Sequence, residues 1–351
     1  MKEYIAFDSH KHYTLVEQED QTTGRTRQCR LTHHRGVFVE YLKGCCSGSR
    51  VAVEATGNWY WIISEIEQAG LQPLLVHPRK AKLMMGLINK TDKLDVHGLN
   101  RLQRNGTLPT VWIPPAELRD LRELTRTRLV LVAQRTRLKN RLQATLAKYG
   151  LEIQEASDPF GAAARLQWPK LVAQLPPHTQ WVSQGLLSQL EGLVEQIEQF
   201  EQRLERLLQI SPDMQRLRSL PGVGLILATS IALEIGQIGR FASAEHLASY
   251  AGTTPRVQAS GDKVRFGRLR PDINRYLRWA FVEAANAVAI HHQRRPERHV
   301  SQLYWRLKAR KGHAKAIGAV ARHLAEASFY VLSRQEDYLD PALSKGRARP
   351  V

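Results

Sequence analysis

The segment AFDSHKHYTL, residues 6–15, decides how the first third of this chain is read. The apolar run YIAF (4–7) reads as a short buried strand that ends on an acid, Asp8. YTLVEQ (13–18) and RQCRLTH (27–33) follow as antiparallel partners, with QTTGR between them as a hairpin turn. GVFVEYLKGC (36–45) has helical spacing, and RVAVE (50–54) is a second strand ending in an acid, Glu54. Asn58 is placed to cap a helix over WYWIISEIEQAG, with Gly70 as its stop. LQPLLVHP (71–78) is a third buried strand, and Thr91 is placed to cap a helix over roughly 92–104 that stops at Asn105-Gly106. Three antiparallel strands followed by strand–helix–strand–helix predict a mixed sheet with helices on its faces.

Outward from that region the chain turns helical. Residues 116–149 contain neither Pro nor Gly and predict one long helix, followed by a loop holding Pro159, Pro169, Pro176 and Pro177. Leu186, Leu190, Leu193, Ile197, Phe200, Leu204 and Leu207 then step by 4,3,4,3,4,3, which is a coiled-coil seam. Acids flank it, and the repeat predicts helix pairing, with a subunit contact as one form of it. Pro212 opens a third region. There LPGVGLILATSIALEIG (220–236) runs a Pro-Gly-x-Gly turn into a helix. The turn reads equally as a helix-hairpin-helix that binds a DNA phosphate through backbone N–H groups or as a simple glycine turn. A helix over 241–252, a loop over 253–272 and helices over 272–292 and 298–334 complete the region, and the tail SKGRARPV reads as disordered.

Composition narrows the partners. The 351 residues carry a net charge of +18. Nine Arg/Lys against three acids lie in 117–148, and nine against one in 294–322. Several basic clusters in one chain favour a polyanion, nucleic acid before membrane surface or acidic protein. No apolar run is long enough to cross a bilayer, and the N-terminus lacks a signal-like apolar region, so a cytoplasmic, nucleoid-associated protein is expected. Cys29, Cys45 and Cys46 lack zinc spacing and read as reduced thiols.

Two groups of residues could carry chemistry. Asp8 and Glu54 end strands, while Asp92 and Asp95 sit three apart on one helix face. Phosphoryl transfer needs such carboxylates, because hard oxygen ligands hold paired Mg²⁺ ions. Singly, each acid reads as an ordinary strand end or helix start; the ordered set of four is the specific signal. Ser260, in VQASGDKVRFGR, lies among Lys263, Arg265 and Arg268, although a lone Ser-Gly usually marks a turn.

At this point the chain resembles the DEDD transposases of the insertion-sequence-one-ten group. AFDSHKHYTL, VAVEATGNWYW and NKTDKLDVHGLNRL resemble the motifs that carry Asp8, Glu54 and the pair Asp92/Asp95. LRSLPGVGLILATSIALEIGQIGRFASAEHLASYAGTTPR and QASGDKVRFGRLRPDINRYLR resemble the C-terminal transposase domain and its serine segment. Ala259 stands where many members have a first serine, which leaves Ser260, and Arg270-Pro271 departs from the usual Ser-Lys. The resemblance implies an α/β plus all-α protein. An RNase H-like (RuvC-like) catalytic domain would span 1–114, a helical coiled-coil oligomerisation region 115–210, and a helical transposase domain with its helix-hairpin-helix-like turn 211–340; a disordered basic tail would occupy 341–351. It implies Mg²⁺, two ions with Mn²⁺ as a substitute, held by Asp8, Glu54, Asp92 and Asp95. Ser260 would be the nucleophile in a composite site plausibly shared by two subunits. Lys90, Lys93, Arg256, Lys263, Arg265, Arg268 and Arg275 would contact nucleic acid. The implied partners are double-stranded DNA at element ends and target, a structured non-coding guide RNA, and further copies of the chain as dimer or tetramer. Site-specific DNA invertase and RuvC-like hydrolytic junction nuclease are the alternatives.

Overall fold

The strand that carries Asp8 is the centre of a five-stranded sheet. In the computed structural model, which describes residues 3–86, 91–261, 263–269 and 272–342, the chain forms two compact units, Met1–Pro114 and Pro115–Val351. The first contains β1 (Glu3–Ser9), β2 (Tyr13–Asp20), β3 (Thr26–Thr32), α1 (Val37–Leu42), β4 (Arg50–Glu54), α2 (Trp59–Gln68), β5 (Gln72–Val76), α3 (Pro78–Met85) and α4 (Asp92–Arg104). The sheet order is β3-β2-β1-β4-β5, with the first three strands antiparallel and β1, β4 and β5 parallel. Ile5, Ala6 and Phe7 are all fully buried, because helices cover both faces of the central strand.

Side-chain alternation along the strands divides the core. Ile5, Phe7, Val51 and Val53 pack with α1 and α2 around Phe38, Ile62, Ile63 and Ile66. Ala6 and Ala52, paired in register, face the other way and pack with Ala81 and Met85 of α3 and Val96, Leu99 and Leu102 of α4. Asp8 and Glu54 are each two residues beyond these alanines, so the period of two directs both to the α4 face. The helix over 78–85 is absent from the sequence reading, which ended a strand at Pro78; that proline stands at the first turn of α3, where its missing N–H costs nothing.

The second unit begins with α5 (Ala116–Lys148), then α6 (Ala162–Arg165) and α7 (Trp168–Val172) within the proline-rich stretch, and α8 (Pro177–Ile210). α5 and α8 are antiparallel: Leu142 clusters with Leu190 near one end, and Arg128 pairs with Glu201 further along. Leu190, Leu193, Ile197 and Leu204 are buried. These residues of the heptad seam are packed within the chain, where α8 lies against α5. α9 (Pro212–Leu217), α10 (Leu225–Ile235), α11 (Ala244–Tyr250), β6 (Pro255–Ser260), β7 (Lys263–Leu269), α12 (Arg275–His291), α13 (His299–Lys311) and α14 (His313–Arg334) follow.

Two expectations change here. The 253–272 loop is an antiparallel hairpin, β6 with β7. The helix expected over 298–334 is two helices, because Gly312 takes φ +81° and ends α13. In the Pro-Gly-x-Gly turn, Gly222 has φ +78°, and a Cβ there would lie 2.3 Å from the Ala284 carbonyl oxygen. The turn thus packs its backbone directly on α12, where any side chain would collide. Lys90, Arg270-Pro271 and the tail from 343 onward lie outside the described residues.

Candidate active site

Asp8 is the next-to-last residue of β1, with only 6% of its surface exposed. Thr91 accepts a hydrogen bond from Leu94 N and so fixes the start of α4 at Asp92, as its spacing predicts. These two placements bring Asp8 and Asp92 to one point, and His10 lies between them. His10 Nε2 is 3.3 Å from Asp8 Oδ2 and 3.3 Å from Asp92 Oδ2. One donor atom each from Asp8, His10 and Asp92 falls within 4.8 Å of the others. Tyr13 donates to Asp92 Oδ2 at 2.8 Å, with the Arg30 guanidinium 3.8 Å above its ring. That hydrogen bond holds the Tyr13 phenol above its ordinary range, so it stays protonated as a donor.

Burial pushes the Asp8 carboxyl up from its ordinary range; the nearby His10 pulls it back, and the charges of Asp92 and Asp95 push it up again. Asp8 Oδ2 and His10 Nε2 are both buried, and among the described residues neither makes a hydrogen bond. A carboxylate held this way gains most from a cation. Carboxylate oxygens of Asp8 and Asp92 converging around a buried site fit a divalent metal.

The other sequence candidates fall as follows. Glu54 ends β4 half-buried and on the α4 face, and Asp95 lies in the first turn of α4; both stand outside the three-residue group. Lys93 is exposed on α4. Ser260 ends β6 in the second unit and is cross-paired with Lys263, as Gln258 is with Arg265. Directly paired residues share a face of an antiparallel hairpin, so Ser260, Gln258, Lys263 and Arg265 line one side. Ala259 pairs with Val264 on the other side, where Val257 and Val264 are exposed. Arg256 is exposed near the base of β6, Arg268 is on β7 with its side chain outside the described residues, and Arg275 is exposed at the start of α12.

Sequence reasoning missed His10 and Tyr13. The signal for His10 was present, since i and i+2 at a strand end face the same way. Asn58, expected as a helix cap, makes no cap hydrogen bond; its amide donates to the His10 carbonyl at 2.9 Å and braces that residue.

A transposase model of the DEDD type of the IS110 group matches residues 7–150, and the model "Transposase IS116/IS110/IS902 family" matches residues 214–301. The chain belongs to the IS110 transposase family. It is an insertion-sequence transposase, an enzyme that cuts and rejoins DNA. It is 27% identical to the transposase for insertion sequence element IS1111A of Coxiella burnetii, over 89% of this chain and 84% of that protein. Against the transposase for IS1328 of Yersinia enterocolitica the identity is 26%, over 78% and 79%. The pilin gene-inverting protein of Moraxella bovis is 25% identical over 67% of each chain. No helix among the described residues is long and apolar enough to cross a membrane.

Proposed function

We propose that this transposase moves its element by strand exchange in which Ser260 is the nucleophile and Asp8, Glu54, Asp92 and Asp95 hold divalent metal, two Mg²⁺ ions with Mn²⁺ as a substitute. The convergence of Asp8 and Asp92, one donor atom of each lying with His10 Nε2 within 4.8 Å of one another, carries the reading. The first unit is read as an RNase H-like, RuvC-like domain, supported by its mixed sheet with acids ending adjacent parallel strands.

Ser260 Oγ bonds to a DNA phosphorus as the bond to the 3′ oxygen breaks, its proton passing through solvent to the departing 3′ oxygen. The strand then carries a 5′-phosphoserine link and a free 3′ hydroxyl. Attack by a 3′ hydroxyl of the new partner strand releases the serine. Asp8, Glu54, Asp92 and Asp95 would hold the metal, which would supply charge neutralisation at the reacting phosphate, and Tyr13 keeps the Asp92 carboxylate oriented. Lys263 and Arg265, on the serine's face of the hairpin, draw the phosphate toward Oγ. Arg256, Arg268, Arg275, Lys90 and Lys93 add contacts to the nucleic-acid backbone. Each event joins two element ends to a target, so more than one serine is needed and the enzyme acts as a dimer or tetramer. The +18 charge supports a structured guide RNA as a further ligand, and the setting is cytoplasmic, on the nucleoid.

Recombination between cognate ends, with flanking transcript supplied, tests the reading. Ser260→Ala and Asp8→Ala should each abolish it, and wild type should leave labelled DNA covalently attached after denaturation. Metal-dependent cleavage by Ser260→Ala without an adduct would instead establish a hydrolytic nuclease. The likeness to a pilin gene-inverting protein favours inversion as the second outcome to assay.

A further inference from the structure

His10 is the residue that the acidic-site reading does not use. Its Nε2 is buried and equidistant, at 3.3 Å, from one oxygen each of Asp8 and Asp92. Two donors each ~2.1 Å from one octahedral ion and at right angles are ~3.0 Å apart. The observed spacing is close to that of neighbouring ligands around a single ion. The backbone of His10 is held by Asn58, and its ring lies 4.6 Å from that of Tyr13. The imidazole is thus supported by the β4–α2 turn and by the residue that orients Asp92.

We infer that His10 is a metal ligand, binding through the Nε2 lone pair beside Asp8 and Asp92, so that the centre is a nitrogen–oxygen site that takes a first-row transition ion such as Mn²⁺ ahead of Mg²⁺. This rests on the reading that the acids hold metal. Mg²⁺ takes oxygen ligands and keeps several waters, whereas imidazole is a common ligand of transition ions. An all-carboxylate set would show no such preference. The competing role for His10 is that of a counterion between Asp8 and Asp92, which a metal would displace.

Mn²⁺ binding to the purified full-length protein, without DNA, separates these roles. Electron paramagnetic resonance counts bound Mn²⁺, and its pulsed form detects hyperfine coupling to a ligand nitrogen. Wild type should show that coupling. His10→Ala should lose it and weaken Mn²⁺ by about tenfold or more, a loss found even when only a ligand's supporting residue is removed. Mg²⁺ affinity, measured by competition, should change far less. Asp8→Asn should weaken both ions. Saturable Mn²⁺ binding that Asp8→Asn weakens, with no nitrogen coupling and no effect of His10→Ala, overturns the inference and leaves the acidic site standing. Binding that is absent, or indifferent to Asp8→Asn, overturns the acidic site as well. His10→Gln takes the place of His10→Ala if the latter loses its cooperative unfolding transition.

Discussion

Glu234 shows how a single residue can hold several helices. It is a carboxyl-bearing residue fully buried on α10. Arg126 of α5 donates to both its oxygens, at 2.7 and 3.0 Å, and Asn274 donates to Oε2 at 2.7 Å. Asn274 also caps α12, accepting from Tyr276 N and Leu277 N. Arg122 donates to the carbonyls of Leu233 and Glu234. Removing the carboxylate would leave buried guanidinium charge without its partner. Glu234→Ala should therefore lower the unfolding free energy by about 3–5 kcal/mol in denaturant titration; a change under about 1 kcal/mol would show that solvent reaches the cluster. An acid inside LILATSIALEIG was visible in the sequence, but its partners, more than a hundred residues earlier and forty later, were not. The same limit applies to Asp8 and Asp92: acids at strand and helix ends were legible from periodicity, while the imidazole between them depended on where two elements meet.

At the scale of elements, spacing was most reliable where one periodicity ran unbroken. The long helix free of Pro and Gly and the helix capped by Thr91 stand where the pattern put them. The heptads of α8 marked a buried stripe but carried no information about what would cover it. That partner is α5, whose basic face hides a weaker apolar pattern. Leu193→Asp should accordingly lower the stability of the chain by about 3–5 kcal/mol, read as a shifted urea midpoint. A fall in mass by light scattering with the midpoint unchanged would place the seam between subunits instead. The hairpin was hidden for a different reason. Pro255, Gly261 and Gly267 punctuate it, and its alternation sets polar Ser260 and Gln258 against only small or exposed apolar residues, so it lacked the signature of a buried strand.

For the whole molecule, the division after Pro114 has a direct consequence. The first unit has apolar clusters on both faces of its sheet, drawn from its own residues. Residues 1–114 expressed alone should show a cooperative urea transition with strand and helix content by circular dichroism. A non-cooperative profile would mean that this core is completed elsewhere. The sequence announced this unit through its strand order, whereas the excess positive charge announced only a class of partner.

Ala6 and Ala52 lie side by side in adjacent strands, on the face covered by α3 and α4. Their side chains are single methyl groups, so the helix can rest close to the sheet. The small girth of these two uncharged residues is thus one determinant of how near α4, and with it Asp92, can come to the strand that carries Asp8. A bulkier side chain at either place would raise α4 like a shim under a hinge, widening the gap between carboxylates whose own identities had not changed. On the proposed reading, the reach of the metal site would depend in part on the thickness of two alanines.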